Sequence, residues 1–134
     1  MFNADETARF SSELVSGESD SLTPEEAKAV AALPAGSALL IAKQGQALGS
    51  RFLLDEDVNL AGRHPNADIF LDDVTVSRRH VEIIRSAAGF ELKDLGSMNG
   101  TYLNGEIVDS AKLSDGDELR IGKFRLTFYM GGKR

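Results

Sequence analysis

From Ser37 onward the chain is a succession of short apolar runs separated by turn residues. The runs are rich in β-branched and aliphatic residues and lie at positions 38–42, 51–54, 69–71, 81–85, 90–95, 101–103, 118–121 and 124–130. The turns between them are Ala88-Gly89, Asn99-Gly100, Asn104-Gly105, Asp115-Gly116 and Gly122-Lys123. Asn-Gly and Asp-Gly pairs supply the backbone angles that tight hairpins need. Many short strands at this spacing predict an all-β sandwich.

The last run shows the clearest period of two. Apolar and polar residues alternate from Phe124 to Phe128. Because successive side chains of a strand point to opposite faces, this pattern predicts a strand with Phe124, Leu126 and Phe128 turned inward.

The residues before Ser37 have a different character. Residues 1–22 are rich in Ser, Asp and Glu without sustained periodicity, which predicts a disordered tail. Thr23-Pro24-Glu25-Glu26 then has the form of a helix start, with a capping Thr, a Pro at the first position and a Glu three residues after the cap. We expect a short helix over 24–33 that needs a partner surface or is only nascent. The predicted domains are an acidic regulatory tail, 1–36, and a globular domain, 37–130.

Composition limits the class of protein. The 134 residues suit one domain, and the absence of Cys excludes disulfides and thiolate metal sites. No apolar run approaches the roughly 18–20 residues that span a bilayer, and the first six residues lack the features of a signal peptide. We therefore expect a cytoplasmic monomer without metal or cofactor.

The charge is unevenly distributed. Of the net charge of −6, residues 1–35 supply −5, from seven acids and two bases. An acidic chain has no general attraction to nucleic acids or anionic membranes, so neither is an expected partner.

The segment Ser77-Arg78-Arg79-His80 is a candidate oxyanion site. Two guanidinium groups and a hydroxyl on one loop match the donors that a phosphate prefers. Taken alone, the same four residues are more often ordinary surface charge. His80 lies beside an apolar run, and we interpret it as a buried, hydrogen-bonded structural residue.

Three further features are weak when taken singly. Gly62-Arg63 places a flexible residue before a loop cation. Asn99-Gly100, within the stretch from Asp94 to Tyr102, predicts a turn whose amide could read a peptide backbone. Asn104-Gly105 is interpreted as turn chemistry alone.

In order along the chain, Gly62-Arg63, Asp68–Leu71, Val76–His80, Asp94–Tyr102 and Asn104-Gly105 resemble the signature of forkhead-associated (FHA) domains. The resemblance covers about residues 37–130. It implies an antiparallel β-sandwich of about eleven strands whose loops bind phosphothreonine. It assigns the phosphate to Arg63, Ser77 and Arg78, the peptide backbone to Asn99 and the border of the methyl pocket to Ser97 and Met98. Gly62 and His80 would be architectural. Many family members have Thr at the position of Met98.

A narrower resemblance, to a group of actinobacterial FHA regulators, rests on five stretches of the chain: 34–40, 49–55, 61–65, 69–80 and 121–126. In these proteins an N-terminal Glu-Thr-Thr-Ser-x-Phe motif is phosphorylated by Ser/Thr protein kinases. The matching stretch here is Asp5-Glu6-Thr7-Ala8-Arg9-Phe10, where Thr7 is the one acceptor that survives. The resemblance implies binding to the 2-oxoglutarate dehydrogenase complex and to glutamate-metabolising enzymes, switched off when phosphorylated Thr7 binds the chain's own domain.

Two other functions compete with this one. A generic adaptor would recruit phosphorylated proteins in trans, with the tail as a spacer. A hydrolase would need an activated nucleophile, but the chain has no Gly-x-Ser-x-Gly elbow and no His-Glu-x-x-His motif, so we do not expect an enzyme.

Overall fold

The computed structural model describes residues 22–44 and 47–132. Thr7 and the rest of residues 1–21, where the predicted tail of 1–36 begins, therefore lie outside the described residues. Within them the chain forms, in order, α1 (Pro24–Ala31), β1 (Ala38–Ala42), β2 (Arg51–Leu54), β3 (Val58–Gly62), β4 (Ile69–Phe70), β5 (Val81–Ser86), β6 (Gly89–Asp94), β7 (Thr101–Leu103), β8 (Glu106–Val108), β9 (Ser110–Leu113), β10 (Glu118–Ile121) and β11 (Phe124–Met130).

The strands form two sheets that pack face to face. The first sheet has the order β2-β1-β11-β10-β7-β8, and the second has the order β4-β3-β5-β6-β9. Every described pairing is antiparallel except that of β3 with β4, which run parallel. The all-β sandwich of about eleven strands is thus confirmed, with one parallel pair at an edge of the second sheet.

The core lies between the inner faces of the two sheets. Phe128 of the first sheet is fully buried and meets Phe90 of the second edge-to-face, with ring centroids 5.5 Å apart. Burying a side chain of this size contributes about 1.5–3 kcal/mol. Phe124 and Leu126 are buried with Phe128 on the inner face of β11, as the alternating pattern predicts.

Three strands were not among the predicted runs. In β3, Asn59 and Gly62 interrupt the apolar pattern. The other two, β8 and β9, are edge strands with mostly exposed side chains. Edge strands are held mainly by backbone pairing with one neighbour, so their side chains carry little apolar signal.

The helix packs on the outer face of the first sheet. Ala29, Val30 and Leu33 lie against Leu39 and Ile41 of β1, with Tyr129 of β11 in the same cluster. The alternating pattern of β11 predicts an exposed outer face, but Thr127 and Tyr129 on that face are also buried. The helix packed on this side of the sheet explains the difference. Of the two possibilities left open for the helix, the structure shows the docked one.

The start of the helix is fixed by a capping box and an ion pair. The Thr23 hydroxyl accepts a hydrogen bond from the Glu26 N–H, and the Thr23 N–H donates to Glu26 Oε1, both at 3.1 Å. Glu26 Oε1 also accepts from Lys43 Nζ at 3.2 Å, in an ion pair whose side chains are less than 10% exposed. The helix ends at Ala31, two residues before the predicted end, because the residue preceding Pro34 is disfavoured in the α conformation.

Candidate functional site

Four loops meet at one end of the sandwich. They are the β3–β4 loop (63–68), the β4–β5 loop (71–80), the β6–β7 loop (95–100) and the β10–β11 turn at Gly122-Lys123. The β4–β5 loop is the centre, because each of the other three forms a hydrogen bond with it. All five residues predicted to bind phosphothreonine lie in these loops.

The β3–β4 and β4–β5 loops touch through their backbones. The Arg63 N–H donates to the Ser77 carbonyl at 3.0 Å, and the His64 N–H donates to the Arg78 carbonyl at 3.2 Å. Gly62 makes this approach possible, since a Cβ atom there would lie 2.1 Å from the Arg78 carbonyl oxygen. Arg63 is thereby held beside Ser77 and Arg78.

The side chains of these residues present donors to solvent. Arg63 donates from Nε to the Val76 carbonyl at 3.1 Å, and its two terminal nitrogens have no partner among the described residues. The Ser77 hydroxyl accepts from the Met98 N–H at 3.0 Å, so its own proton stays available. Arg78 is exposed. Two guanidinium groups and a hydroxyl donor in one place suit a dianionic, three-oxygen ligand.

His80 is a structural residue of the site. It is fully buried, its Nδ1 accepts from the Ser77 N–H at 3.0 Å, and its Nε2 lies 2.9 Å from the Gly100 carbonyl. This pairing requires the tautomer with the proton on Nε2, which donates to Gly100. Both ring nitrogens are therefore used to hold the β4–β5 and β6–β7 loops.

The β6–β7 loop is organised by Asp94. Its carboxylate accepts from the Ser97 and Thr101 hydroxyls at 2.6 and 2.7 Å, and from the N–H groups of Ser97 and Gly96. Burial acts to raise the pKa of Asp94, but these four donors outweigh it and lower the pKa below its usual value. Ser97 is thus positioned by Asp94, whereas Met98 is 90% exposed at the loop tip.

Asn99 joins the β6–β7 loop to the β4–β5 loop. Its Nδ2 donates to the Thr75 carbonyl at 2.8 Å, and the residue is exposed, so its amide oxygen can serve as an acceptor. The Thr75 hydroxyl donates to Asp73 at 2.5 Å and accepts from the Lys123 N–H at 3.0 Å. Lys123 Nζ lies 3.0 Å from the other carboxylate oxygen of Asp73.

The electrostatics of Asp73 follow from these contacts. The Thr75 hydroxyl and N–H and the Lys123 ammonium together lower the pKa of Asp73 to about 2. The carboxylate therefore stays charged and holds the β10–β11 turn against the β4–β5 loop at any physiological pH.

The sequence predicted the groups that would bind the ligand and two of the residues that hold them, Gly62 and His80, but not the other supports. Asp73, Thr75, Asp94 and Lys123 were not singled out. The sequence did contain a signal for two of them. Asp73 precedes Thr75 by two residues and Asp94 precedes Ser97 by three, and this spacing is typical of turns closed by an Asp side chain. No group of three or more His, Asp or Glu side chains fit for a metal occurs within residues 22–44 and 47–132. In the same residues no helix has the length and apolarity needed to cross a bilayer.

Comparison with known proteins agrees with this geometry. The FHA domain family model matches residues 59–122. The chain is 60% identical over 104 residues to an oxoglutarate dehydrogenase inhibitor of Corynebacterium jeikeium, covering 78% of this chain and 72% of that protein. It is 61% identical over 104 residues to the glycogen accumulation regulator GarA of Mycolicibacterium smegmatis, covering 78% and 66%.

Solved structures give the same result. A structure from a study of phosphothreonine-dependent FHA domain interactions superposes with a TM-score of 0.67 at 36% identity, covering 72% of this chain and 99% of the other. The FHA domain of FhaA, in complex with the intracellular domain of another protein, superposes with a TM-score of 0.63 at 36% identity, covering 68% and 98%. The chain therefore belongs to the FHA domain family, in the group that includes the oxoglutarate dehydrogenase inhibitors and the GarA regulators.

Proposed function

We propose that this chain is a phosphothreonine-binding regulatory protein that controls metabolic enzymes, 2-oxoglutarate dehydrogenase first among them. The observation that carries the proposal is the joint position of Arg63, Ser77 and Arg78. The Arg63 N–H is bonded to the Ser77 carbonyl and Gly62 lies against the Arg78 carbonyl, while the Arg63 terminal nitrogens have no partner among the described residues and Arg78 is exposed. A phosphate ester accepts several charge-assisted hydrogen bonds, each contributing about 1.5–3 kcal/mol. Asn99, across the same end, is placed to hold the peptide backbone.

The choice of partner enzymes rests on the relatives. The name of the Corynebacterium jeikeium protein describes it as an inhibitor of oxoglutarate dehydrogenase. With 60% identity across most of both chains, the loops that contact a partner are expected to be similar. We extend the proposal to glutamate-metabolising enzymes and to a Ser/Thr protein kinase that modifies the tail.

A binding role fits the site better than a catalytic one. Catalysis by Ser77 would require a base to take its proton. Two histidines lie at this end of the sandwich. His80 uses both ring nitrogens on the backbone, at the Ser77 N–H and the Gly100 carbonyl, and the Nδ1 of His64 accepts from the Asn66 N–H at 3.0 Å. The Ser77 hydroxyl is bonded to the Met98 N–H rather than to any base among the described residues.

The docked helix supports control by the chain's own tail. Its first turn lies beside Lys43, and the Lys43 N–H donates to the Arg125 carbonyl near the β10–β11 turn, which is part of the site. The tail therefore starts at the end of the sandwich that carries the phosphate-binding loops. Fourteen residues, 8–21, separate Thr7 from Leu22 beside the docked helix, whereas thirty residues, 8–37, would separate Thr7 from β1 if the helix were undocked. A flexible chain of about 15 residues spans roughly 20 Å.

This short tether favours closure. An effective concentration on the order of 1 mM against a peptide dissociation constant on the order of 1 µM gives about 1000-fold closure, or roughly 4 kcal/mol. Phosphorylated Thr7 would then occupy the site, with Phe10 three residues beyond it, and exclude partner enzymes. The unphosphorylated chain would bind them.

A two-dimensional amide spectrum before and after kinase treatment tests this switch. Phosphorylation of Thr7 should shift the amide resonances of Arg63, Ser77 and Asn99 at every protein concentration, and binding of the partner enzyme should be lost. The Thr7→Ala variant, treated in the same way, should keep its spectrum and keep binding. Loss of partner binding in kinase-treated Thr7→Ala would contradict the switch. If phosphorylated chain shows no shift at low concentration but binds another copy at high concentration, the tail acts in trans and the adaptor model is correct.

A further inference from the structure

The outer face of the first sheet is divided into a covered half and an open half. Helix α1 covers β1 and the end of β11, whereas no helix among the described residues packs over β8, β7, β10 and the start of β11. Across the open half, four residues occupy directly opposed positions on adjacent strands. Ile107 pairs with Tyr102, Tyr102 with Arg120, and Arg120 with Arg125. We call these four residues the cross-strand row.

Three residues of the row, Tyr102, Arg120 and Arg125, line a groove that leads to the proposed phosphothreonine site, and Ile107 lies next to the groove on the strand beyond Tyr102. A cavity of about 660 Å³ runs along it from Gln44 to Gly105. A second cavity, of about 290 Å³, lies beside Thr75 and Asn99. The two share Tyr102, Arg120, Gly122 and Lys123, so they are parts of one continuous groove.

The groove carries unequal charge. Arg125 forms an ion pair with Glu118, and Lys123 forms one with Asp73. Arg120 is exposed and has no carboxylate partner among the described residues, and its guanidinium lies 4.3 Å from the centre of the Tyr102 ring. An aromatic ring orients such a cation without neutralising it.

The far end of the row is apolar. Ile107 is 64% exposed, next to Tyr102 and with its Cδ1 against Gly100. The groove therefore fits a segment that combines carboxylates for Arg120 with an aliphatic residue for Ile107.

The chain contains such a segment close by. Residues 13–20 hold three acids, Glu13, Glu18 and Asp20, and the apolar pair Leu14-Val15, with no base. The helix begins beside Lys43. The neighbouring Gln44 accepts a hydrogen bond at 2.9 Å from Arg125, which lies at the end of the row opposite Ile107. The row spans three strand spacings, about 14 Å. The eight residues from Leu22 back to Leu14 reach about 26–29 Å when extended, so the segment can cover the row.

We propose that residues 13–20 of the tail dock in this groove, with their carboxylates near Arg120 and with Leu14-Val15 on Ile107 and Tyr102. The docking does not require phosphorylation. The regulatory meaning of this docking rests on the proposed function. A tail that lies in the groove places the residues before it close to Asn99 and the phosphate-binding loops.

A spin label on the tail of the full, unphosphorylated chain tests the proposal. The chain has no Cys, so Ser16→Cys provides a single attachment site for a nitroxide. The label should broaden the amide resonances of Tyr102, Ile107 and Arg120 more than those of Lys93 and Lys112, which are exposed on the second sheet. The difference should disappear in the variant Glu13→Gln, Glu18→Gln, Asp20→Asn. It should also weaken in 1 M salt, where the Debye length is about 3 Å.

A matched pair of variants distinguishes a specific effect of the groove from a general effect of removing one positive charge. In the labelled chain, Arg120→Gln should reduce the broadening at Tyr102 and Ile107, whereas Lys112→Gln, which removes one charge from the other sheet, should leave it unchanged. Equal broadening of both sheets would overturn the proposal, as would broadening that survives neutralisation of the tail. Reduced enzyme binding by Arg120→Gln with unaltered broadening would assign the groove to a partner protein instead. Because no phosphate is present, a negative result here does not bear on the phosphothreonine site, and the two proposals fail separately.

Discussion

The hydroxyl of Ser77 accepts a hydrogen bond from the backbone N–H of Met98, 3.0 Å away, and so joins the β4–β5 loop to the β6–β7 loop. In the proposed function the same hydroxyl donates its proton to the phosphate. One small side chain positions the β6–β7 loop and, in the proposed function, would also contact the ligand.

Replacing Ser77 with Ala should weaken binding of a tail peptide phosphorylated at Thr7 by about ten- to one hundredfold. A lost hydrogen bond to a charged group is worth about 1.5–3 kcal/mol. Calorimetric titration with phosphorylated and unphosphorylated peptides of residues 2–13 measures the effect. The matched control is Ser110→Ala, on the exposed edge strand β9, which should bind like the parent chain. Unchanged affinity of a folded Ser77→Ala protein would refute the phosphate site.

Gly62→Ala should destabilise the fold and displace the β4–β5 loop. A Cβ atom at this position would lie 2.1 Å from the Arg78 carbonyl oxygen, and the backbone must move to admit it. Overpacking of this kind costs about 1–3 kcal/mol. Urea unfolding measures the loss, and the amide shifts of Ser77 and Arg78 measure the displacement.

Gly96→Ala is the comparison for that variant. Gly96 has a φ of +80°, but a Cβ atom added there would meet nothing within 4 Å, so its cost is backbone strain alone, roughly 1–2 kcal/mol. It should destabilise without moving Arg78. If Gly62→Ala also leaves the Arg78 resonance in place, the close contact does not position the site.

The sandwich was predictable because most of its strands coincide with apolar runs in the sequence. The runs at 38–42, 51–54, 101–103, 118–121 and 124–130 coincide with β1, β2, β7, β10 and β11. The missing strand β3 has Asn59 where a buried apolar residue is expected. Its Nδ2 donates to the Glu56 and Ile83 carbonyls, so hydrogen bonds replace apolar burial there. A pattern based on apolar residues alone cannot register such a strand.

The candidate site was predictable in its proposed ligand-binding groups and in two of its supports, Gly62 and His80, but not in the supports at Asp73, Thr75, Asp94 and Lys123. Arg63, Ser77, Arg78 and Asn99 follow one another in a family order, but their relative positions depend on contacts between residues far apart in sequence. Lys123 N–H bonds to Thr75 Oγ1 across 48 positions. The docking of helix α1 is of the same kind, since Glu26 meets Lys43 only once β1 is in its sheet.

Stability toward acid should fall mainly between about pH 4 and pH 2. The Thr75 donors and Lys123 lower the pKa of Asp73 to about 2, against an ordinary value near 3.8. A carboxyl whose folded pKa is depressed stabilises the fold above its unfolded pKa, and this contribution is lost as the pH falls through the folded pKa. Burial acts to raise the pKa of Asp94, but its hydrogen bonds lower it overall, so Asp94 adds to the same trend.

Urea midpoints measured from pH 7 to pH 2 test this expectation. Asp73→Asn should lower the midpoint at pH 7 and flatten its fall below pH 4. Asp109→Asn, an exposed carboxyl between β8 and β9, serves as the control and should keep the parent profile. An Asp73→Asn curve parallel to that of the parent chain would show that the Asp73 network does not contribute to folding stability.

Lys43→Met should release helix α1 from the sheet while leaving the sandwich folded. The side chains of Lys43 and Glu26 are less than 10% exposed. Removing the Lys43 ammonium leaves the buried Glu26 carboxylate without its ion-pair partner, which is destabilising. A helix of eight residues is marginal by itself, so its order depends on this anchor and on the contacts of Val30 and Leu33 with β1. Amide hydrogen exchange should accelerate over 27–32 and leave the β5–β6 pair protected.

The same variant should weaken the tail switch, which connects the helix to function. While α1 is docked, the tether runs from Thr7 to Leu22 and has about 15 residues; with α1 released it runs from Thr7 to β1 and has about 30. Effective concentration falls roughly as the −3/2 power of length, or about threefold. Competition by a phosphothreonine peptide against the phosphorylated chain measures this change. Lys28→Met, on the exposed side of the helix, is the matched control and should alter neither exchange nor competition. Slow exchange over 27–32 in Lys43→Met would mean that apolar contacts alone hold the helix, and the tether length would then be independent of the ion pair.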